Sequence, residues 1–324
     1  MDSLSKIKQP VQQELFEFRK LFELSLKSDN PLLQRISSHI LSKKGKMMRP
    51  ILIMLMARLH GNIEQSTLYT AVSLELLHTA SLVHDDVVDD SKERRGQKSV
   101  NAIFDNRVAV LSGDYILATS LNYASKTSHL DIIEVVSRLG CDLSDGELLQ
   151  LDNISKKVYS EEDYYQVIRK KTAALFSACA MCGSLSVSDS KEDAEFARVI
   201  GDLMGICFQI RDDIFDYYDD EEIGKPTHQD MLEGKLTLPA IYVLNNTSES
   251  WAHDVAIRIK QGVASLEEIT RLVELVRSNG GIEYAINRMR EFRNKAFDML
   301  IALPDTEIRE SLIGYLDYIV NRDL

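Results

Sequence analysis

The chain has 324 residues, 44% of them hydrophobic, and 50 acidic against 38 basic side chains give a formal net charge of −12 at neutral pH. That length and hydrophobicity suffice for a large core, while the acidic balance speaks against a general nucleic-acid binder, which needs a basic face. No uncharged apolar run reaches the roughly 18 residues a membrane span requires, so no span is expected.

Fifteen glycines and six prolines leave few breaks, and the segments between them carry helical spacing. No apolar stretch of the signal-peptide kind follows Met1, and the cysteines (Cys141, Cys179, Cys182 and Cys207) have no framework spacing, so a reducing, cytoplasmic setting is expected. Leu4, Ile7, Val11, Leu15, Phe18, Leu21 and Leu24 recur at steps of three and four and predict an amphipathic helix over 3–28. Asn30-Pro31 is an N-cap followed by proline at the first helical position, starting a helix to about Leu41. A basic loop, Lys43-Lys44-Gly45-Lys46, precedes a helix from Arg49-Pro50 to about His60. Residues 65–90 form a long, nearly all-apolar helix that should be central. Further helices are predicted at 106–126, 129–153, 161–186, 190–220, 230–246, 250–261, 266–278, 281–302 and 305–321. No alternating strand pattern is present. The expectation is an all-α, single-domain bundle (1–324) of ten or more helices, with a small lobe after residue 250 as a variant.

Chemistry concentrates where the central helix ends. His84-Asp85-Asp86-Val87-Val88-Asp89-Asp90 places four carboxylates within six residues, with Arg94-Arg95-Gly96 following. On a helix Asp85 and Asp89 share a face. Two like charges 4 Å apart at an effective dielectric of ~20 repel by about 4 kcal/mol, so carboxylates facing one cavity demand a cation. The arginines demand an anion, and a site demanding both suits metal-bridged phosphate or diphosphate. A second Asp-Asp-x-x-Asp, at Asp212, Asp213 and Asp216, ends another apolar helix 127 positions on. A single such motif is more often a solvated helix face; two copies suggest two walls holding Mg2+, a hard ion that takes carboxylate, water and phosphate oxygens.

Basic residues gather in four places: Lys46 to Arg49, Arg94-Arg95, Lys170-Lys171 before Thr172, and Lys225 with Lys235. Each alone is ordinary surface; with the aspartates they match a site for two polyphosphates. His78 lies two turns before Asp85 on the same face and is assigned to substrate rather than core. His84 and the segment Gly146-Glu147-Leu148-Leu149-Gln150 admit structural and functional roles equally. Cys179 and Cys182, amid small apolar residues, fit a buried helical pair. No Gly-x-Ser-x-Gly and no phosphate-binding glycine loop is present, so no enzyme-bound intermediate is expected.

From Gly45-Lys46-x-x-Arg49-Pro50 to Thr237-Leu238-Pro239, through both aspartate motifs, Arg94-Arg95-Gly96 and Phe208-Gln209, the chain resembles the trans-isoprenyl diphosphate synthases. The resemblance implies an isoprenoid-synthase-type bundle around a central cavity, usually a homodimer. It implies a Mg2+-dependent, head-to-tail prenyltransferase that joins isopentenyl diphosphate to an allylic diphosphate. Asp85, Asp86, Asp89, Asp212, Asp213 and Asp216 would bind Mg2+, three ions per site with substrate. Arg94, Lys171, Lys225 and Lys235 would hold the allylic diphosphate, and Lys46, Arg49, His78 and Arg95 isopentenyl diphosphate. Thr172 and Gln209 would flank the developing carbocation. Pro226-Thr227-His228-Gln229-Asp230 departs from relatives, which often carry glycine and asparagine before the aspartate.

In that family an aromatic residue five positions before the first aspartate stops chain growth early. Here Ala80 stands there, with Ser81 and Leu77 on the same stretch. The helix from Ser73 to Asp85 spans about 18 Å, and the two-residue insertion of many short-chain bacterial relatives is missing. A long-chain product of the quinone-side-chain kind is expected. Leu111, Tyr115 and Leu117 are candidates for the opposing wall. The alternatives are a short-chain synthase and, from another class, a catalytically silent subunit of a heteromeric synthase. A terpene cyclase would carry an Asn/Ser/Glu second motif.

Overall fold

A computed structural model describes residues 3–42, 45–94, 96–156, 160–218 and 228–322. The described chain is helical as expected, apart from one two-residue antiparallel pair in which Glu93 faces Lys98 and Arg94 faces Gln97. Two compact units make up the molecule. The first comprises Met1–Cys141, Leu175–Gly201 and Pro304–Leu312; the second comprises Asp142–Ala174, Asp202–Leu303 and Ile313–Leu324.

The first unit is organised on the helix Gln65–Val88. A reciprocal capping box between Glu64 and Thr67 starts it, satisfying backbone donors that a helix start leaves orphaned. Ala71, Val72, Leu74 and Leu76 have no exposed surface. Asn106–Lys126 packs along it, and Ser73 donates a 2.9 Å hydrogen bond to the Ser120 carbonyl where the two meet. Met48–His60 is buried continuously from Ile51 to Ala57, as a helical stretch apolar on every face must be. Ala174–Leu185 approaches it closely: a Cβ on Gly183 would lie 2.4 Å from the Ile53 carbonyl oxygen. The predicted cap at Asn30 is present, its Oδ1 accepting from the amides of Leu32 and Leu33.

The second unit packs Leu238–Asn246 against Gly281–Ile301, with Tyr242 stacked on Tyr284 at 4.1 Å. Leu272, Val276 and Ala285 are fully buried within it.

Three predicted helices are interrupted. The 3–28 segment is Ser3–Lys8, a 3₁₀ turn Gln9–Val11, and Gln12–Ser25; Pro10 has no amide to continue the ladder. The 161–186 segment is Glu161–Ile168 and Ala174–Leu185 joined by a π-helical turn, Arg169–Ala173. The 230–246 segment is Gln229–Leu232, then Leu238–Asn246. Gly234 between them holds φ at +80°, a left-handed conformation that ends helices, and Pro239 sits in the first turn of the next helix.

Candidate active site

The first aspartate motif sits at the C-terminal end of Gln65–Val88, with Asp89 as its cap residue. Asp212 and Asp213 lie in the last turn of Lys191–Phe215, and Asp216 follows it. Helix C-termini carry partial negative charge, so each carboxylate there is disfavoured by about 0.3–1 kcal/mol until a cation arrives. Both motifs therefore have the same electrostatic deficit, each at its own helix end.

Within the first unit, Asp86 is buried while Asp89 is exposed. Arg94 Nε donates to Asp86 Oδ1 at 2.6 Å, and Asn101 Nδ2 donates to its carbonyl at 3.0 Å. Burial pushes the Asp86 carboxyl up, and the Arg94 guanidinium draws it partly back. A cavity of about 200 Å³ beside them is lined by Arg19, His39, Met47, Glu75, Asp86 and Arg94, among others. Of the residues assigned to isopentenyl diphosphate, Lys46 is exposed, Arg49 half-buried and His78 buried; Arg95 lies outside the described residues. Ala80 and Leu77 are buried. Ser81 is half-buried, its hydroxyl donating to the His78 carbonyl at 2.9 Å. Leu111 is 68% and Tyr115 37% exposed, so both stand on an outer face of this unit.

Within the second unit, one cavity of about 240 Å³ gathers Lys171, Thr172, Gln209, Asp213 and Lys235. The π-helical turn presents Lys171 and Thr172 to it. Thr172 Oγ1 donates to Gln209 Oε1 at 2.6 Å, and Gln209 Nε2 donates to Asp213 Oδ1 at 2.8 Å. Tyr164 donates to the other Asp213 oxygen at 2.5 Å. Burial pushes the Asp213 carboxyl up to about 7 against these donors. Lys171 pairs with Glu147 at 2.6 Å and reaches Gln150 at 3.4 Å. A Cβ on Gly146 would lie 2.9 Å from the Lys171 amide nitrogen, so glycine is what lets the helix Leu130–Ser155 lie against the turn. Asp216 accepts from the amides of Gln229 at 2.8 Å and Asp230 at 3.1 Å. Asp212 is ion-paired with Arg322, whose guanidinium also lies 3.8 Å over the Phe208 ring. Lys225 lies outside the described residues.

The aspartates are hard oxygen donors of the kind Mg2+ prefers. Among the described residues no three His, Cys, Asp or Glu side chains are arranged to hold an ion as they stand. Four of the aspartates have protein partners: Arg94 for Asp86, Tyr164 and Gln209 for Asp213, two amides for Asp216, Arg322 for Asp212. Three groups shaping the site were not assigned from sequence. Tyr164 and Arg322 sit 49 and 110 positions from the aspartates they contact, and no local pattern marks either. Glu147 falls in the segment left open between two roles.

The profile of the polyprenyl synthetase family matches residues 30–276. The octaprenyl diphosphate synthase of Escherichia coli (strain K12) is 34% identical over 322 residues, 99% of each chain. A crystal structure of geranylgeranyl pyrophosphate synthase from Bacteroides thetaiotaomicron is 53% identical, with 99% of this chain and 100% of that one covered and a TM-score of 0.88. The polyprenyl synthase of Caulobacter crescentus, complexed with calcium and isoprenyl diphosphate, is 28% identical over 98% of each chain, with a TM-score of 0.92. An all-helical fold with two aspartate motifs and a cavity lined by lysine, aspartate and apolar side chains thus has a defined place: the chain belongs to the polyprenyl synthetase family. It is an enzyme, and its chemistry is prenyl transfer.

Proposed function

We propose that the chain, with 1–324 as one catalytic domain, repeatedly condenses isopentenyl diphosphate with an allylic diphosphate to give a long-chain polyprenyl diphosphate for quinone side chains. The observation that carries this is the second-unit cavity, where Lys171, Thr172, Gln209, Asp213 and Lys235 line one wall system. Lys171 and Lys235 supply positive charge for the allylic diphosphate as it leaves. Thr172 and Gln209, locked to each other and to Asp213, present fixed dipoles without reorganising. Val167, Ile168 and Ile241 are among the apolar residues of the lining and would help keep water from the electron-poor allylic carbon. Asp85, Asp89 and Asp212 would take Mg2+, three ions per site, with Asp86, Asp213 and Asp216 in support. Bound there, the ions neutralise charge on the diphosphate. Lys46, Arg49, His78 and Arg95 would hold isopentenyl diphosphate, and Arg94 and Lys225 would join the allylic side.

Long-chain growth is supported by the small side chains at Ala80 and Ser81 and by the likeness to a protein named octaprenyl diphosphate synthase. A short-chain synthase is the second reading, favoured by the 53% identity to a protein named geranylgeranyl pyrophosphate synthase. A homodimer is supported by the exposed stripe Val110, Leu111, Tyr115 and Leu121 on Asn106–Lys126, apolar at helical spacing. Cytoplasmic location is supported by four free cysteines. Among the described residues no helix is long and apolar enough to cross a membrane. Purified protein incubated with Mg2+, an allylic primer and isopentenyl diphosphate, with products dephosphorylated and separated by chain length, tests the proposal. Polyprenols longer than geranylgeraniol are expected. Products ending at geranylgeraniol would establish the second reading, and no incorporation would sink both.

A further inference from the structure

We propose that Gly113 and Asp114 act with His84 as a positioning unit for the first aspartate motif, resting on the proposal above only in taking that motif as a metal site. The last turn of Gln65–Val88 has reason to fray: it collects carboxylates at the negative end of a helix dipole. Arg94 and Asn101 restrain it through Asp86. His84 restrains it from a different side. Its Nε2 lies 3.2 Å from the Val110 carbonyl oxygen and 3.3 Å from Asp114 Oδ1. Both neighbours only accept, so Nε2 carries the proton and donates. The ring can reach that carbonyl because residue 113 is glycine: a Cβ there would stand 2.3 Å from Nε2 and within 3 Å of two further ring atoms. Gly113 is fully helical, with no left-handed backbone to require glycine. The space taken by His84 is therefore the physical reason for the missing side chain. Because His84 precedes Asp85 directly, the seat of its ring fixes the rotation of the turn that aims Asp85 and Asp89.

His84 is 32% exposed, so a methyl at position 113 expels the ring toward solvent instead of opening the core. Gly113→Ala should then keep the fold, with Tm within a few degrees of the parent, and weaken the binding of Mn2+ in the presence of inorganic diphosphate by fivefold or more. Mn2+ affinity read by electron paramagnetic resonance isolates the effect, the sites lost in Asp85→Ala marking the first motif. His84→Leu should weaken the same sites, and His84→Gln, whose Nε2 can donate to the Val110 carbonyl, should restore most of the loss. Asp114→Asn, which keeps an acceptor, should stay near the parent, whereas Asp114→Leu should not. The decisive measurement is the double variant Gly113→Ala/His84→Leu. If the glycine exists to seat the ring, the double loses no more than His84→Leu alone, a strongly non-additive cycle. Parent-like Mn2+ binding in Gly113→Ala, or additive losses in the double, would overturn the inference. A parent that bound Mn2+ at these sites yet made no prenyl product would sink the proposed function and leave this one standing; a parent with no such Mn2+ site would overturn it.

Discussion

Asp213 carries the sharpest conflict between stability and chemistry in the second unit. Its carboxyl is buried and held up to about 7, against 3.8 when exposed. The folded protein therefore binds a proton that the unfolded chain has already released, and stability falls as pH rises from about 4 to 7. Asp213→Asn removes that dependence. Gln209 can turn its amide so that its carbonyl accepts from the new Nδ2 and its NH2 donates to the Thr172 hydroxyl, which accepts as readily as it donates. In metal-free buffer the variant should melt above the parent at pH 8, with the difference shrinking toward pH 4, while prenyl transfer drops. A melting difference that did not vary with pH would remove burial of this charge as the cause. Arg322 presents the complementary case. It pairs with Asp212 Oδ1, where, on the proposed assignment, it would compete with a metal ion. Arg322→Ala should therefore tighten Mg2+ binding in the absence of substrate by several-fold in calorimetry; unchanged or weaker binding would show that the ion pair does not compete with the metal.

At the scale of elements, the π-helical turn Arg169–Ala173 sets Lys171 and Thr172 toward the cavity. Such single-turn insertions mark functional sites in many helices. Gly146 lets the neighbouring helix support it, and the atom a Cβ would meet is the Lys171 backbone nitrogen, which cannot swing aside as a side chain could. Gly146→Ala should lower kcat/KM by about a hundredfold, in line with the cost of small misplacements in an active site, with helical circular dichroism unchanged. Full activity would mean that the turn tolerates displacement. The apolar spacing made the surrounding helices legible, and Asn30-Pro31 and both Asp-Asp-x-x-Asp segments announced their positions through local chemistry. The π turn did not: the buried Ile168, Ala173 and Leu175 stand five and two positions apart, and one off-step interval within a long apolar run does not stand out from ordinary variation. The break at Gly234 was legible only through one glycine and a proline five positions on, beneath an otherwise continuous apolar pattern. Tyr164 and Arg322 reach their aspartates through tertiary folding, and nothing near them in sequence distinguishes them from ordinary residues.

For the whole molecule the open quantity is how far the product grows, which the proposed function ties to Ala80. The residue is 1% exposed, so it faces either packed side chains or the space that receives the growing chain. These alternatives have opposite consequences for a large substitution. Against a packed core, Ala80→Tyr overpacks, which costs about 1–3 kcal/mol or more and lowers Tm by several degrees without a specific change in product. Against product space, the ring stands in the path of the chain and the fold accepts it. The small neighbour Ser81 and the long-chain expectation favour the second. Ala80→Tyr should then retain the first condensation at near-parental rate, keep Tm within a few degrees and end the product series several isoprene units early. Chromatography of the dephosphorylated products beside a melting curve separates the cases. Shortened products from a stable variant would place Ala80 on the growth path. Parental chain lengths from a stable variant would remove it, and a variant that melts early without shortening would return the residue to the core. The short-chain reading makes its own forecast for the same pair of measurements: a parent ending at geranylgeraniol should drop by one or two units at most, since few remain to be removed.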